Sequence, residues 1–263
     1  MPAGATFKIT IAYEGTGFVG WQRQAAGVSI QGLIEDALRD LAGTEVAVVG
    51  AGRTDAGVHA LGQVASFSIE RAMTADTLIR AVNARLPDAV RVVAAVEAAP
   101  GFNARFDARV KTYRYRLWNA DVMNPFERRY AWHVPGTLDV ERMADAARAI
   151  EGRHDFAAFQ AAGSAAKTTV RTVASSRVDA TGRDGLLVYE VTGDGFLRHM
   201  VRTIVGTLVE TGRQRRSVES MRETIASRDR AAAGPTAPAE GLFLTSVVYD
   251  EGSSGLRLSE SRL

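Results

Sequence analysis

The chain has no cysteine. That excludes disulfides, thiol nucleophiles, iron–sulfur clusters and cysteine-held zinc together. Histidine is sparse, with four residues and no His-x-x-x-His pair, so the sequence predicts no metal centre. No apolar run approaches the roughly 18 residues of a membrane span, and the amino terminus lacks the basic and apolar regions of a signal peptide. The expectation is a cytosolic protein without a membrane partner. Lysine is almost missing: Lys8, Lys111 and Lys167 stand among 32 basic residues, and the rest are arginine. Arginine suits bidentate phosphate contacts and stacking on bases. A net charge of only +2 makes its distribution more informative than its total.

What is present is ordinary for a folded chain of 263 residues, with 46% hydrophobic and 24% charged side chains, enough for a full core. Phe7, Ile9, Ile11 and Tyr13 alternate with polar or small neighbours, the period of a strand with one buried face. Gly15, Gly17 and Gly20 follow, but no Gly-Lys-Ser/Thr accompanies them and their spacing is not the dinucleotide fingerprint, so no nucleotide cofactor is expected. Ser29 and Gly43 bracket a helix with Ile30, Leu33, Ile34, Ala37, Leu38 and Leu41 on one face. A strand at 44–49, a strand at 63–69, a helix capped by Thr74 and a strand at 90–96 complete a split βαβ order. Further strands are expected at 110–118, 169–178, 186–191 and 242–249, and helices at 139–150 and 217–227. A short helical turn is expected at 154–159, and a long helix directly after Gly193-Asp194-Gly195. The fold class is α+β.

Three stretches carry chemistry. Gly50-Ala51-Gly52-Arg53-Thr54-Asp55-Ala56-Gly57-Val58-His59 packs an acid, a base, a histidine and glycines between two strands. Spacing alone favours a turn, with Asp55 bonding nearby amides and Arg53 as its exposed ion-pair partner, over an acid aimed at a substrate. Between Arg105 and Arg116, four arginines and Lys111 interleave with aromatics against one aspartate, Asp107. That pattern suits a nucleic-acid surface, or a strand with a solvated basic face and a tyrosine core face. Arg198 and Arg202 lie where the long helix should begin, which does not suit its dipole. Either a carboxylate or phosphate uses them, or they are exposed.

Several blocks together resemble the tRNA pseudouridine synthase A family. They are Gly20-Trp21-Gln22-Arg23-Gln24, Arg53 through His59 with Gly62-Gln63-Val64, and Asn83-Ala84-Arg85-Leu86-Pro87. Further on come Phe102-Asn103-Ala104-Arg105-Phe106, Tyr113-Arg114-Tyr115, His154-Asp155-Phe156, His199-Met200-Val201-Arg202 with Ile204-Val205-Gly206, and Ala239-Glu240-Gly241-Leu242. They span nearly the whole chain in the family's order.

The resemblance implies two similar halves, each an antiparallel sheet with helices on one face, joined into one extended sheet with the active cleft between them. The halves would be residues 1–107 and 108–250, followed by a flexible tail at 251–263. It implies a homodimer acting on the tRNA anticodon stem-loop, isomerising uridine to pseudouridine at positions 38, 39 and 40 without cofactor or metal. Asp55 would be the nucleophile, at an atom left open. Arg202 would pair with it and keep it ionised. Tyr113 would stack on the flipped uracil, and Arg53 would fill the vacated place or contact phosphate. Phe102, Asn103, Ala104, Arg105 and Phe106, and Gly163, Ser164, Ala165, Ala166 and Lys167, would contact tRNA. The loop glycines would give clearance to the flipped nucleotide, and His59 would be structural. Two rivals stand beside this reading. One is a non-catalytic tRNA-binding or tRNA-folding protein of the same fold. The other is a hydrolase with a second acid near Asp55, for which Glu14 and Asp194 are the loop acids to examine.

Overall fold

The computed structural model describes residues 4–163, 166–182 and 185–250. Ser164, Ala165 and the expected tail at 251–263 lie outside the described residues.

The alternating run at the amino end forms β1 (Ala5–Tyr13) and buries Phe7, Ile9, Ile11 and Tyr13. Ser29 accepts the Gly32 N–H and starts α1 (Ile30–Ala42), and Gly43 ends it in the left-handed conformation at φ 74°. β2 is only Val49–Gly50, where a strand over 44–49 was expected. Val46 and Val48 are buried as the alternation requires. However, Val48 gives its N–H to Glu35 (3.3 Å) and its carbonyl to Gln31 (3.0 Å), so α1 side chains take the groups a ladder would use. β3 (His59–Ile69), α2 (Ala75–Asn83, capped by Thr74) and β4 (Val90–Ala98) follow.

The second half runs β5 (Val110–Trp118), the two-residue β6 (Trp132–His133), α3 (Val140–Arg148, capped by Asp139) and β7 (Gly152–Asp155). The expected turn at 154–159 is divided, its first residues in β7 and the rest in a 3-10 turn at Ala157–Phe159. β8 (Val170–Ala180) and β9 (Leu186–Gly193) lead to α4 (Met200–Gly212), α5 (Ser220–Ser227) and β10 (Leu242–Val248). α4 starts later than its apolar stripe suggests. Leu197 is buried in the turn before it, so it extends the hydrophobic pattern without being helical.

One ten-stranded sheet has the order β4-β1-β3-β10-β5-β9-β8-β7, with β2 on β3 and β6 on β5. Its pairings are antiparallel except β10 with β3 and β5 with β6. β1 lies between β3 and β4, as β5 lies between β9 and β10, and β2 and β8 flank β3 and β9 correspondingly. With β6, β7 and α5 as additions in the second, both halves repeat the order strand, helix, strand, strand, helix, strand, and the last strand of the second pairs with the first half along Phe243–His59 and Leu244–Ala60. α4 lies inside the core on Met200, Ile204, Val205 and Leu208. It approaches residues 234–237 so closely that a Cβ at Gly206 would fall 1.7 Å from the Pro235 carbonyl oxygen. That contact sets the segment which returns the chain to the seam between the halves.

Candidate active site at the seam

The loop after β2 is held from three sides. Ala51 donates to the Val64 carbonyl at 2.7 Å, and the Gln63 side chain donates to the Gly52 carbonyl at 2.8 Å. The buried Thr54 hydroxyl meets Tyr13 Oη at 2.8 Å, and the Thr54 carbonyl accepts the Trp21 N–H at 3.1 Å. Val58 N–H closes a turn on the Asp55 carbonyl at 3.1 Å. The glycines serve this packing. A Cβ at Gly50 would lie 2.4 Å from the Trp21 indole, and one at Gly57 (φ 80°) 3.1 Å from the Ala239 Cβ. Clearance for a nucleotide is therefore not what Gly50 and Gly57 supply; a Cβ at Gly52 would meet only the Lys111 side chain, at an ordinary contact distance of 3.8 Å. Trp21 is thus the residue that packs this loop, a role no local pattern around it signals.

Asp55 is about a quarter exposed. Its Oδ2 meets Arg202 Nη1 at 3.2 Å and His199 Nε2 at 3.5 Å. Arg202 is further tied by Nε donating to the Ala237 carbonyl at 2.7 Å, while Ala237 N–H donates to the Arg202 carbonyl at 3.1 Å. Arg202 sits in the first turn of α4, and the Asp55 carboxylate supplies the negative charge that the helix end lacks. Asp55 is the acid that uses that arginine. Arg198, by contrast, precedes the helix and donates to the Ala162 carbonyl at 3.3 Å. Asp55 turns to Arg202 and His199 and not to the exposed Arg53, so the simple turn with an Arg53–Asp55 pair is not what forms.

Tyr113 is only 7% exposed and packs edge-on against Phe196, with centroids 5.1 Å apart. Burial pushes its phenol up, and the Tyr13 and Asp55 charges push the same way. Tyr13 is pushed up to about 12, again mainly by burial, against the hydrogen bonds of Thr54 and Gln63. His199 is held below the usual imidazole value by burial; Asp55 opposes this, and Arg202, Arg198 and Arg230 add to it. His199 lay inside a family block, but nothing local in the sequence marked it as a partner of a residue so distant along the chain.

His59 is 1% exposed. Its Nδ1 accepts the Gly15 N–H at 2.9 Å, so Nε2 carries the proton toward the carbonyls of Arg129 (3.0 Å) and Glu240 (3.1 Å). Phe243 stacks on the ring at 4.6 Å. The histidine fastens the loop, β10 and residue 129 together. Burial lowers its basicity, with Glu14 and the two carbonyls acting the other way. A lowered folded-state value means that the unfolded chain binds the proton more readily, so this stability is present above about pH 6.5 and lost as pH falls. Urea unfolding midpoints should thus drop between pH 7.5 and 5.5, and His59→Gln should be less stable at pH 7.5 with a flatter pH dependence. An unchanged pH slope would remove His59 as the cause.

The segments expected to contact RNA are unequally available. The Asn103 side chain accepts the N–H groups of Arg105 (3.0 Å) and Phe106 (3.2 Å). Ala104 is fully buried, between Ser66 and Tyr249. Its expected tRNA contact has no surface to work with in this structure. Phe102 and Asn103 are half-buried, whereas Arg105 and Phe106 are exposed. In the second segment Gly163, Ala166 and Lys167 are exposed. Much of the basic strand is neutralised: Arg109 pairs with Asp250, Arg114 with Glu190 and Arg116 with Glu127. Burial lowers Lys111, with Arg105 and Arg171 adding and Asp194 opposing.

Glu14 accepts the Thr16 N–H and Asp194 the Thr172 N–H, so both acids turn to local backbone. Among the described residues there is no group of three or more His, Asp or Glu side chains placed to hold a metal ion. Among them, too, no helix is long and apolar enough to cross a membrane.

A family model described as tRNA pseudouridine synthase matches residues 9–107 and 146–250. A tRNA pseudouridine synthase A of Pelobacter propionicus is 46% identical over 244 residues, covering 93% of this chain and 99% of the relative. The proteins of the same name from Myxococcus xanthus and Solibacter usitatus are 47% and 48% identical; they cover 93% and 92% of this chain and 92% and 98% of their own lengths. With both halves of the sheet matched and the Asp55 loop lying within the matched residues, the chain belongs to the tRNA pseudouridine synthase family.

Proposed function

We propose that this chain does what its family's name describes, isomerising uridine to pseudouridine in tRNA, and that it acts at positions 38, 39 and 40 of the anticodon stem-loop. The reaction breaks the N1–C1′ bond, forms C5–C1′ and moves one proton from C5 to N1, so it is redox-neutral and an isomerisation in full. Asp55 is the nucleophile. The observation that carries this assignment is the pairing of Asp55 with Arg202 at 3.2 Å, a contact contributed by both halves of the sheet. The guanidinium fixes the position of the carboxylate, and carboxylates are established covalent nucleophiles.

Tyr113 stacks on the flipped uracil, at a cost of a few kcal/mol for extruding the base. Arg53, Arg105, Phe106 and Lys167 are exposed and suited to phosphate and base contacts. The enzyme acts as a cytoplasmic homodimer with each tRNA touching both subunits, and its catalytic half ends near residue 107. The retained aspartate favours catalysis over a purely tRNA-binding role.

The test is incubation of purified protein with unmodified tRNA, without added cofactor or metal, and mapping of pseudouridine by position. Product confined to the anticodon arm at 38, 39 or 40 is expected. Product elsewhere in the tRNA, or none, would overturn the assignment.

A further inference from the structure

Arg202 touches Asp55 through a single nitrogen. Its Nε is committed to the Ala237 carbonyl at 2.7 Å, which leaves Nη1 for Oδ2 at 3.2 Å. A one-point contact does not stop a carboxylate rotating about its Cβ–Cγ bond, since either oxygen can take the place of the other. His199 approaches that same Oδ2 from a second direction at 3.5 Å. Oδ1 has no hydrogen bond or ion pair among the described residues.

We propose that His199 is a positioning residue: together with Arg202 it pins Oδ2 of Asp55 and leaves Oδ1 as the oxygen presented to the nucleotide. This rests on the reading of Asp55 as nucleophile.

Two features support it. The first is backbone geometry. His199 has φ 62° and ψ −1°, a left-handed conformation uncommon for a non-glycine residue, and such departures concentrate at functional sites. It is held from both sides: Met200 N–H donates to the Leu197 carbonyl (3.1 Å), and Thr203 N–H to the His199 carbonyl (2.9 Å). The conformation sends the imidazole from the start of α4 toward Asp55.

The second is charge. Arg202 on α4, Arg198 in the preceding turn and Arg230 in the short 3-10 turn at Arg230–Ala232 act on His199, against Asp55 as the sole acid among its charged neighbours. Burial first, and then these three guanidiniums, disfavour a further positive charge on the ring, and Nε2 is the ring nitrogen that faces the carboxylate. At 3.5 Å this is an approach and not yet a hydrogen bond, and contacts of this kind tighten when substrate closes the site.

Two substitutions separate the side chain's role from the backbone's. His199→Gly suits the left-handed conformation but removes the donor. His199→Gln strains the backbone as histidine does, and carries an amide nitrogen at the same number of bonds from Cα. If His199 positions Asp55, kcat should fall about 10–10²-fold in the glycine variant with KM within about threefold, while glutamine stays within about fivefold of wild type. If only the backbone matters, the order inverts, and glycine equal to or faster than glutamine overturns the proposal. A crystal structure of His199→Gly supplies a readout independent of turnover. The Asp55 carboxylate should be rotated or split between two orientations, and a single unchanged orientation overturns the proposal. Asp55→Asn in the same assay tests the underlying reading separately: retained activity there would remove the nucleophile assignment, whatever the order of the His199 variants.

Discussion

Asp55→Asn should form pseudouridine at a rate lower by about 10⁴-fold or more, while binding tRNA within about threefold of wild type. The amide has the shape of the carboxylate and still accepts a hydrogen bond from Arg202, so the loop stays folded around Thr54, Trp21 and Gln63. What disappears is the charge and the nucleophilic oxygen. Affinity for RNA is set mainly by phosphate contacts, which come from cations elsewhere on the surface. Single-turnover kinetics and filter binding on one preparation give both numbers. A variant that keeps turnover, or one that loses binding and turnover together, would contradict the role assigned to Asp55.

Tyr113→Ala should lose turnover by roughly 10–10²-fold, the worth of one base stacked on an aromatic ring. Its stability should also fall, by about 3–5 kcal/mol, because a ring 7% exposed and packed on Phe196 leaves a cavity. That second loss makes alanine a poor variant by itself. Tyr113→Phe keeps the ring and removes a hydroxyl that has no hydrogen-bond partner among the described residues. Phenylalanine should retain most of the turnover and nearly all of the stability. Thermal denaturation and kcat at a temperature well below both melting points separate the two effects. Equal loss of turnover in the phenylalanine and alanine proteins would assign the work to the hydroxyl and sink the stacking role.

Local chemistry made some of this architecture legible. Ser29, Thr74 and Asp139 cap helices where their side chains can accept an amide proton, and Gly43 ends one because it tolerates a positive φ. The strand at Val110–Trp118 has the bounds its alternation predicts, since one face is core and the other is charged. The strand expected over 44–49 shrank to two residues because Gln31 and Glu35, on a helix, took the backbone groups of Val48. No pattern within 44–49 carries that information. In the same way, Leu197 extends an apolar stripe from outside the helix to which it seemed to belong.

The sequence by itself carried the ordered family blocks, with Asp55 and Arg202 among them, and the α+β order of elements. Residue types in ordered blocks, with caps and periodicities, are local properties, and the chain records them directly. Only the tertiary structure decided which oxygen of Asp55 is held, that His199 approaches it beside Arg202, that Gly50 and Gly57 make room for Trp21 and Ala239, and that Ala104 is buried. The physical reason is distance along the chain. Asp55 and Arg202 are 147 residues apart, and His59 reaches a carbonyl 181 residues away. Such contacts exist only once β10 has inserted between β3 and β5 and brought the two halves of the sheet into one seam.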